Sequence, residues 1–172
     1  MTHLYKSALI LLLSFNGSQV FADALLCSHL PHIQRGFLNH HILFKSYNAT
    51  LETRIIQQFV EKLDPSKIYL LQEDVAKIGD MMKDIYGKTQ KEKCTPLTDA
   101  HDIFVSRVKE RTKFVEGYLN AKYKLNKDVE LVLDPKKRQF AKNKAEADEF
   151  TTKYIHFQIA NYLASGMKML SL

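Results

Sequence analysis

The chain is short of everything that makes a backbone turn. Its 172 residues include six glycines and four prolines, with no tryptophan and only two cysteines. So few turn-formers argue against an architecture of many short strands, and with 45% apolar residues they favour long helices. Long apolar runs are also missing. The longest, Ser7 to Phe15, is less than half of the roughly 20 residues that a spanning helix needs. No internal repeat or low-complexity block is present, so one domain with its own core is expected. Charge of a single sign is lacking too. The formal charge is +6, but 25 Lys and Arg are interleaved with 19 Asp and Glu, which describes a solvated surface and no nucleic-acid partner.

What is present begins with a leader. Lys6 is the only charged side chain between Met1 and Ala22, the apolar core follows it, Asn16-Gly17-Ser18 breaks that core, and Val20-Phe21-Ala22 suits a signal peptidase. Residues 1–22 are therefore read as a signal peptide cleaved after Ala22, and 23–172 as one periplasmic, exported domain without a transmembrane segment. Export bears on Cys27 and Cys94. In an oxidising compartment an even pair is expected to bond, and two unpaired small apolar residues are the other reading.

The chain is organised around Leu63-Asp64-Pro65-Ser66-Lys67-Ile68-Tyr69-Leu70-Leu71-Gln72-Glu73-Asp74. Pro65 disfavours helical geometry at Asp64, so a helix should stop near Leu63. Ile68 to Leu71 is an apolar run too short for a helix. Gln72, Glu73 and Asp74 put acidic groups where a new helix's N-terminal dipole favours them. An apolar connector between two amphipathic helices belongs in the interior between them.

About five helices follow from the 3.6-residue periodicity. The first is expected from Ser28, with Leu30, Ile33, Phe37, Ile42 and Phe44 on its apolar side. His29, His32 and His40 share one side of it, but the spacing matches no ligand pattern and no carboxylate is near, so no metal is expected. The second runs from Leu51 to Leu63, preceded by Asn48 as a cap in a stretch that also spells a glycosylation acceptor. The third is expected over Gln72 to Tyr86 with Gly87 as its stop, and the fourth over Asp99 to Leu125 with Thr98 or Asp99 as cap. Arg107, Arg111 and their basic neighbours face Glu110 and Glu116 there, an arrangement that favours solubility. Val129 to Leu133 alternates like a short strand. Asn143 and Glu146 form a capping box for the fifth helix, which ends near Ala164 before Gly166. The expected fold is all-α: an irregular multi-helix bundle with one short extended segment near 129–133. No cofactor motif is present.

Together, several segments resemble the N-terminal helical region of tail-specific proteases, also called carboxy-terminal processing proteases. The first is the Asp-Pro junction, with Leu63, Asp64, Pro65, Tyr69, Leu70, Leu71 and Asp74 as its structural motif. The second is Ala100-His101-Asp102-Ile103-Phe104 with Arg107, Val108, Glu110 and Arg111 beyond it. The third is the order of elements from Val129 through Asp134 into the helix with Asp148, Glu149, Phe150, Phe157 and Gln158. The resemblance spans Cys27 to Leu163. In that family the helical region leads into a PDZ module and a serine–lysine catalytic domain, and both are read as absent here. No Gly-x-Ser-x-Gly elbow is found and no Ser–Lys pair can be assigned, so no catalytic residue is carried over. The resemblance implies a non-catalytic scaffold with a protein partner, either the protease body or an adaptor lipoprotein, and a chain that is a stand-alone or truncated form. The alternative is an independent periplasmic adaptor or inhibitor.

Overall fold

The computed structural model describes residues 25–166 apart from Ala121. The expected signal peptide and the apolar tail from Met167 lie outside these residues. Among the described residues there are six α-helices: α1 (Leu30–His40), α2 (Ala49–Leu63), α3 (Gln72–Met81), α4 (Ile85–Gln90), α5 (Thr95–Tyr118) and α6 (Lys144–Ala164). Single 3₁₀ turns cover Cys27–His29 and Pro135–Lys137. Among the described residues there is no sheet, only a parallel bridge between Leu71 and Ala141. The fold is all-α, as the sequence indicates.

The core forms where α2, α3 and α5 meet the connector. Val60, Leu70, Ile78, Met82, Ile85 and Ala100 are its buried centre, flanked by Ile56, Phe59, Val75 and Phe104. Leu70 is 1% exposed and Leu71 3%, so the apolar run after Pro65 lies inside. Asn48 caps α2, its Oδ1 accepting the Leu51 N–H at 3.0 Å.

Several boundaries differ from the sequence reading. The third predicted helix is two helices. Asp84 sits at φ 55° in the left-handed region, and its N–H donates to the Glu52 carboxylate of α2. The carbonyls freed by this break are satisfied by Lys88, whose Nζ donates to Met81 O at 3.0 Å and Lys83 O at 2.6 Å. Gly87 lies inside α4 and does not stop a helix. A Cβ there would meet the exposed Asp84 carboxylate at 2.5 Å and push that side chain aside. The next helix starts four residues early because Pro96 occupies its first turn, where a missing N–H costs nothing. It ends at Tyr118 and not Leu125, since Asn120 Nδ2 donates to the Gly117 carbonyl at 2.9 Å.

The first helix buries a different side from the one its apolar periodicity predicts. Pro31 and Leu38 are its buried residues, while Ile33 and Phe37 are 54% and 56% exposed and Ile42, beyond its end, is 90% exposed. Ser28 sits within the 3₁₀ turn that precedes it. At α6 only half of the expected capping box forms. Asn143 accepts the Glu146 N–H at 3.0 Å, but the Glu146 carboxylate takes the Lys142 N–H at 2.8 Å. The residues from Val129 to Leu133 pair with no strand. Glu130, Leu131 and Val132 lie over α6 beside Phe150 and Lys153.

Candidate functional site

Asp64 closes α2 and holds the connector. Its backbone, φ −135° and ψ 74°, lies outside the helical region that the following proline disfavours. Oδ1 accepts the Ile68 N–H at 3.1 Å, and Oδ2 accepts the N–H groups of Tyr69 and Leu70, both at 2.9 Å. The residue is 1% exposed. Three N–H groups that neither helix can use are thereby satisfied by one buried carboxylate. Tyr69 packs edge-on against Phe104 of α5, centroids 5.5 Å apart.

The far end of the connector has a second clamp. Asp74, in the first turn of α3, accepts the Leu71 N–H at 2.8 Å and binds Arg107 of α5 through Nε at 2.8 Å and Nη2 at 3.1 Å. Arg107 also reaches Glu73 at 2.8 Å and Glu110 at 2.9 Å. The hydrogen bonds that Arg107 donates to Asp74 push the guanidinium's pKa above its ordinary value. Arg107 thus ties α5 to the start of α3, whereas the sequence pattern assigned it to surface ion pairs.

From the other side, the segment before α6 locks onto the junction. Lys67, at φ 50°, donates through Nζ to the Arg138 carbonyl at 2.8 Å. Arg138 returns a bond to Ser66 O at 2.6 Å and lies 4.1 Å over the Phe150 ring. Burial lowers the Arg138 pKa. The Gln72 N–H donates to Ala141 O at 2.9 Å and completes the bridge.

Two further clusters join α5 to α6. Arg111, 3% exposed, meets Asp148 at 2.5 Å, and Lys144 meets the other Asp148 oxygen at 2.5 Å. The second cluster surrounds buried His156. Tyr118 Oη lies 2.9 Å from its Nε2, Tyr123 Oη lies 2.8 Å from its Nδ1, and the Asn126 N–H donates to Nδ1 at 3.2 Å. This cluster anchors the segment after α5 and replaces the extra helical turns expected there. Sequence spacing carried no sign of it, because His156 lies 30 to 38 positions from Asn126, Tyr123 and Tyr118, and two of those three stand outside any helix.

The Arg111 pair yields a test. Burial alone raises the Asp148 pKa, but the bonds from Lys144 and Arg111 outweigh it and hold the carboxyl below its ordinary value. A depressed folded-state pKa gives stability that is complete above the unfolded carboxylate value and is lost as pH falls through the folded one. Asp148→Asn is expected to cost about 2 kcal/mol at neutral pH and to flatten the acid limb of stability against pH. Urea unfolding of both chains from pH 7 to 2 reads both effects. Equal slopes would refute the assignment.

At the N-terminal side, Cys27 and Cys94 are disulfide-bonded across 67 positions, with Cα atoms 6.0 Å apart. The bond fastens the start of α1 to the start of α5. Gln34 reinforces it, its Oε1 lying 3.0 Å from Thr89 Oγ1 and accepting from Gln90 Nε2 at 2.9 Å. His29 Nδ1 accepts the Leu26 N–H at 3.3 Å, and His32 Nδ1 lies 3.0 Å from Arg35 Nη2. Among the described residues no group of His, Cys, Asp and Glu is placed to hold a metal ion. No helix among them is long and apolar enough to cross a membrane.

These elements define a helical bundle assembled around a carboxylate-clamped Asp-Pro junction, in which the polar side chains that converge do structural work. The family model for the tail specific protease N-terminal domain matches residues 33–171, and the chain belongs to that family. The match takes in the junction, both α5 clusters and all of α6. No curated protein and no solved structure matches the chain.

Proposed function

We propose that this chain is an exported, non-catalytic scaffold that docks onto the body of a tail-specific protease. The observation that carries this reading is the outer side of α1. Ile33 and Phe37, one helical turn apart, are both more than half exposed, and Ile42 and Leu43 follow at 90% and 76%. Phe37, His41 and Phe44 continue it as a row of mutually tilted rings, with centroids 4.9 and 5.2 Å apart. An apolar surface displayed on a helix that a disulfide and Gln34 fasten to the bundle is built for a protein contact. The secretory leader in residues 1–22 and the paired cysteines support a periplasmic setting.

Sedimentation velocity of the purified chain, mixed with a separately produced PDZ–protease body of the family, tests this. A heavier boundary is expected, lost when Phe37→Asp and Ile42→Asp are combined, with no cleavage of unstructured peptides by the chain alone. Independent sedimentation of the two proteins would overturn the docking role. Peptide cleavage that survives repurification and disappears with a serine-directed inhibitor would overturn the non-catalytic one.

A further inference from the structure

Just past the end of α1 the chain makes a hook. Ile42 and Leu43, at 90% and 76%, are the most exposed large apolar residues among those described. One side chain holds the backbone that displays them. His41, in extended geometry at φ −67° and ψ 135°, turns its ring back along the chain. Its Nδ1 accepts the N–H groups of Leu43 at 3.0 Å and of Phe44 at 2.9 Å. The ring lies between those of Phe37 and Phe44. Backbone N–H groups can only donate, so Nδ1 is the bare nitrogen and the ring's proton sits on Nε2. An imidazolium has no bare nitrogen. A proton gained at Nδ1 would point at two N–H groups and break both bonds.

We propose that His41 is a pH switch on the docking surface of α1: the neutral ring holds the Ile42–Leu43 hook in place for a protein partner, and the protonated ring releases it. The inference rests on the docking role proposed above and adds its regulation. No Asp or Glu lies between Leu25 and Leu51. On its own segment His41 has His40 beside it and Lys45, whose Nζ donates to Asn39 O at 3.3 Å. From α2 come Arg54, 5.4 Å over the Phe44 ring, and Glu52, which holds the Asp84 N–H. From α4, on which α1 packs, comes Lys88, taken up by the Met81 and Lys83 carbonyls, with Asp84 just before it. Among the described residues the one histidine ion pair is His101 with Asp102, so no ion pair offsets the two bonds that His41 would lose. Imidazoles change charge between about pH 5 and 8, and an exported chain meets the pH of its surroundings.

Chemical shifts of the isotopically labelled full chain, followed from about pH 8 to about pH 5, read the hook without a partner. As the His41 ring gains its proton, the amide and backbone carbon shifts of Ile42, Leu43 and Phe44 are expected to drift together toward unstructured values. His41→Asn is the control. Its Oδ1 accepts N–H groups two and three residues on and does not titrate, so the three residues should hold their shifts. Docking is read by sedimentation with the PDZ–protease body at the same two pH values. The parent chain should bind about tenfold more weakly in acid, the size expected for two such bonds, and His41→Asn should show a much smaller ratio between the two. Titration within the protease body, and of His29, His32 and His40, is common to both chains and cancels in that comparison. Thermal unfolding at each pH shows that both chains remain folded. Hook residues that stay fixed while the His41 ring titrates would overturn the switch, and so would an equal loss of docking in both chains. Hook residues that titrate while no heavier boundary forms at any pH would instead overturn the docking role and, with it, the regulation.

Discussion

Replacing Asp64 with alanine is expected to remove about 3–5 kcal/mol of unfolding free energy, a large part of what a domain of this size possesses. The figure follows from the three N–H groups of Ile68, Tyr69 and Leu70, which would stay buried with no acceptor. Leu70 is 1% exposed, so water cannot substitute without opening the core. Asp64→Asn retains one acceptor oxygen and should fall between the parent and alanine. A denaturant series on the three chains measures this order. A loss below about 1 kcal/mol for alanine would mean that the connector finds other partners, and the carboxylate would no longer be the clamp.

Reduction of Cys27–Cys94 should have the next largest consequence. Opening a loop across 67 positions removes about 4 kcal/mol in the chain-entropy account, an upper figure. The loss should be unevenly distributed. Helix α1 packs on α4, with Pro31 and Leu38 buried and Gln34 as its polar tie, so it is held by little besides the bond. The core of Val60, Leu70, Ile78 and Met82 makes no use of α1. Hydrogen exchange after mild reduction should therefore accelerate first in residues 30–40 and leave α3 and α5 protected. Uniform acceleration would show instead that α1 belongs to the central cooperative unit.

What the sequence made legible was local. Pro65 ends α2, Asn48 and Asn143 cap their helices, and the apolar run Ile68–Leu71 goes inside, because each effect is decided within a turn or two of the residue that causes it. The break at Asp84 was not legible, since it depends on Glu52 arriving from α2 and Lys88 reaching back. The roles of Arg107 and Arg111 were half visible. The pattern put Arg111 opposite Glu110 and Glu116 on the surface, and only the fold reveals that it is buried with Asp148 as its counter-ion. For the first helix, Ile33 and Phe37 formed as good a stripe as Pro31 and Leu38. The choice between them was made by α4 and the disulfide, and neither enters a hydrophobic pattern.

The Lys67–Arg138 bond joins positions 71 apart, and the Leu71–Ala141 bridge is similarly distant. A chain threaded from its first residue through a membrane pore would present the junction long before the segment that secures it. The middle of the molecule would then stay loose until nearly the whole length had crossed. Contacts this remote slow folding, and under the export proposed above that slowness would keep the chain unfolded while it crosses.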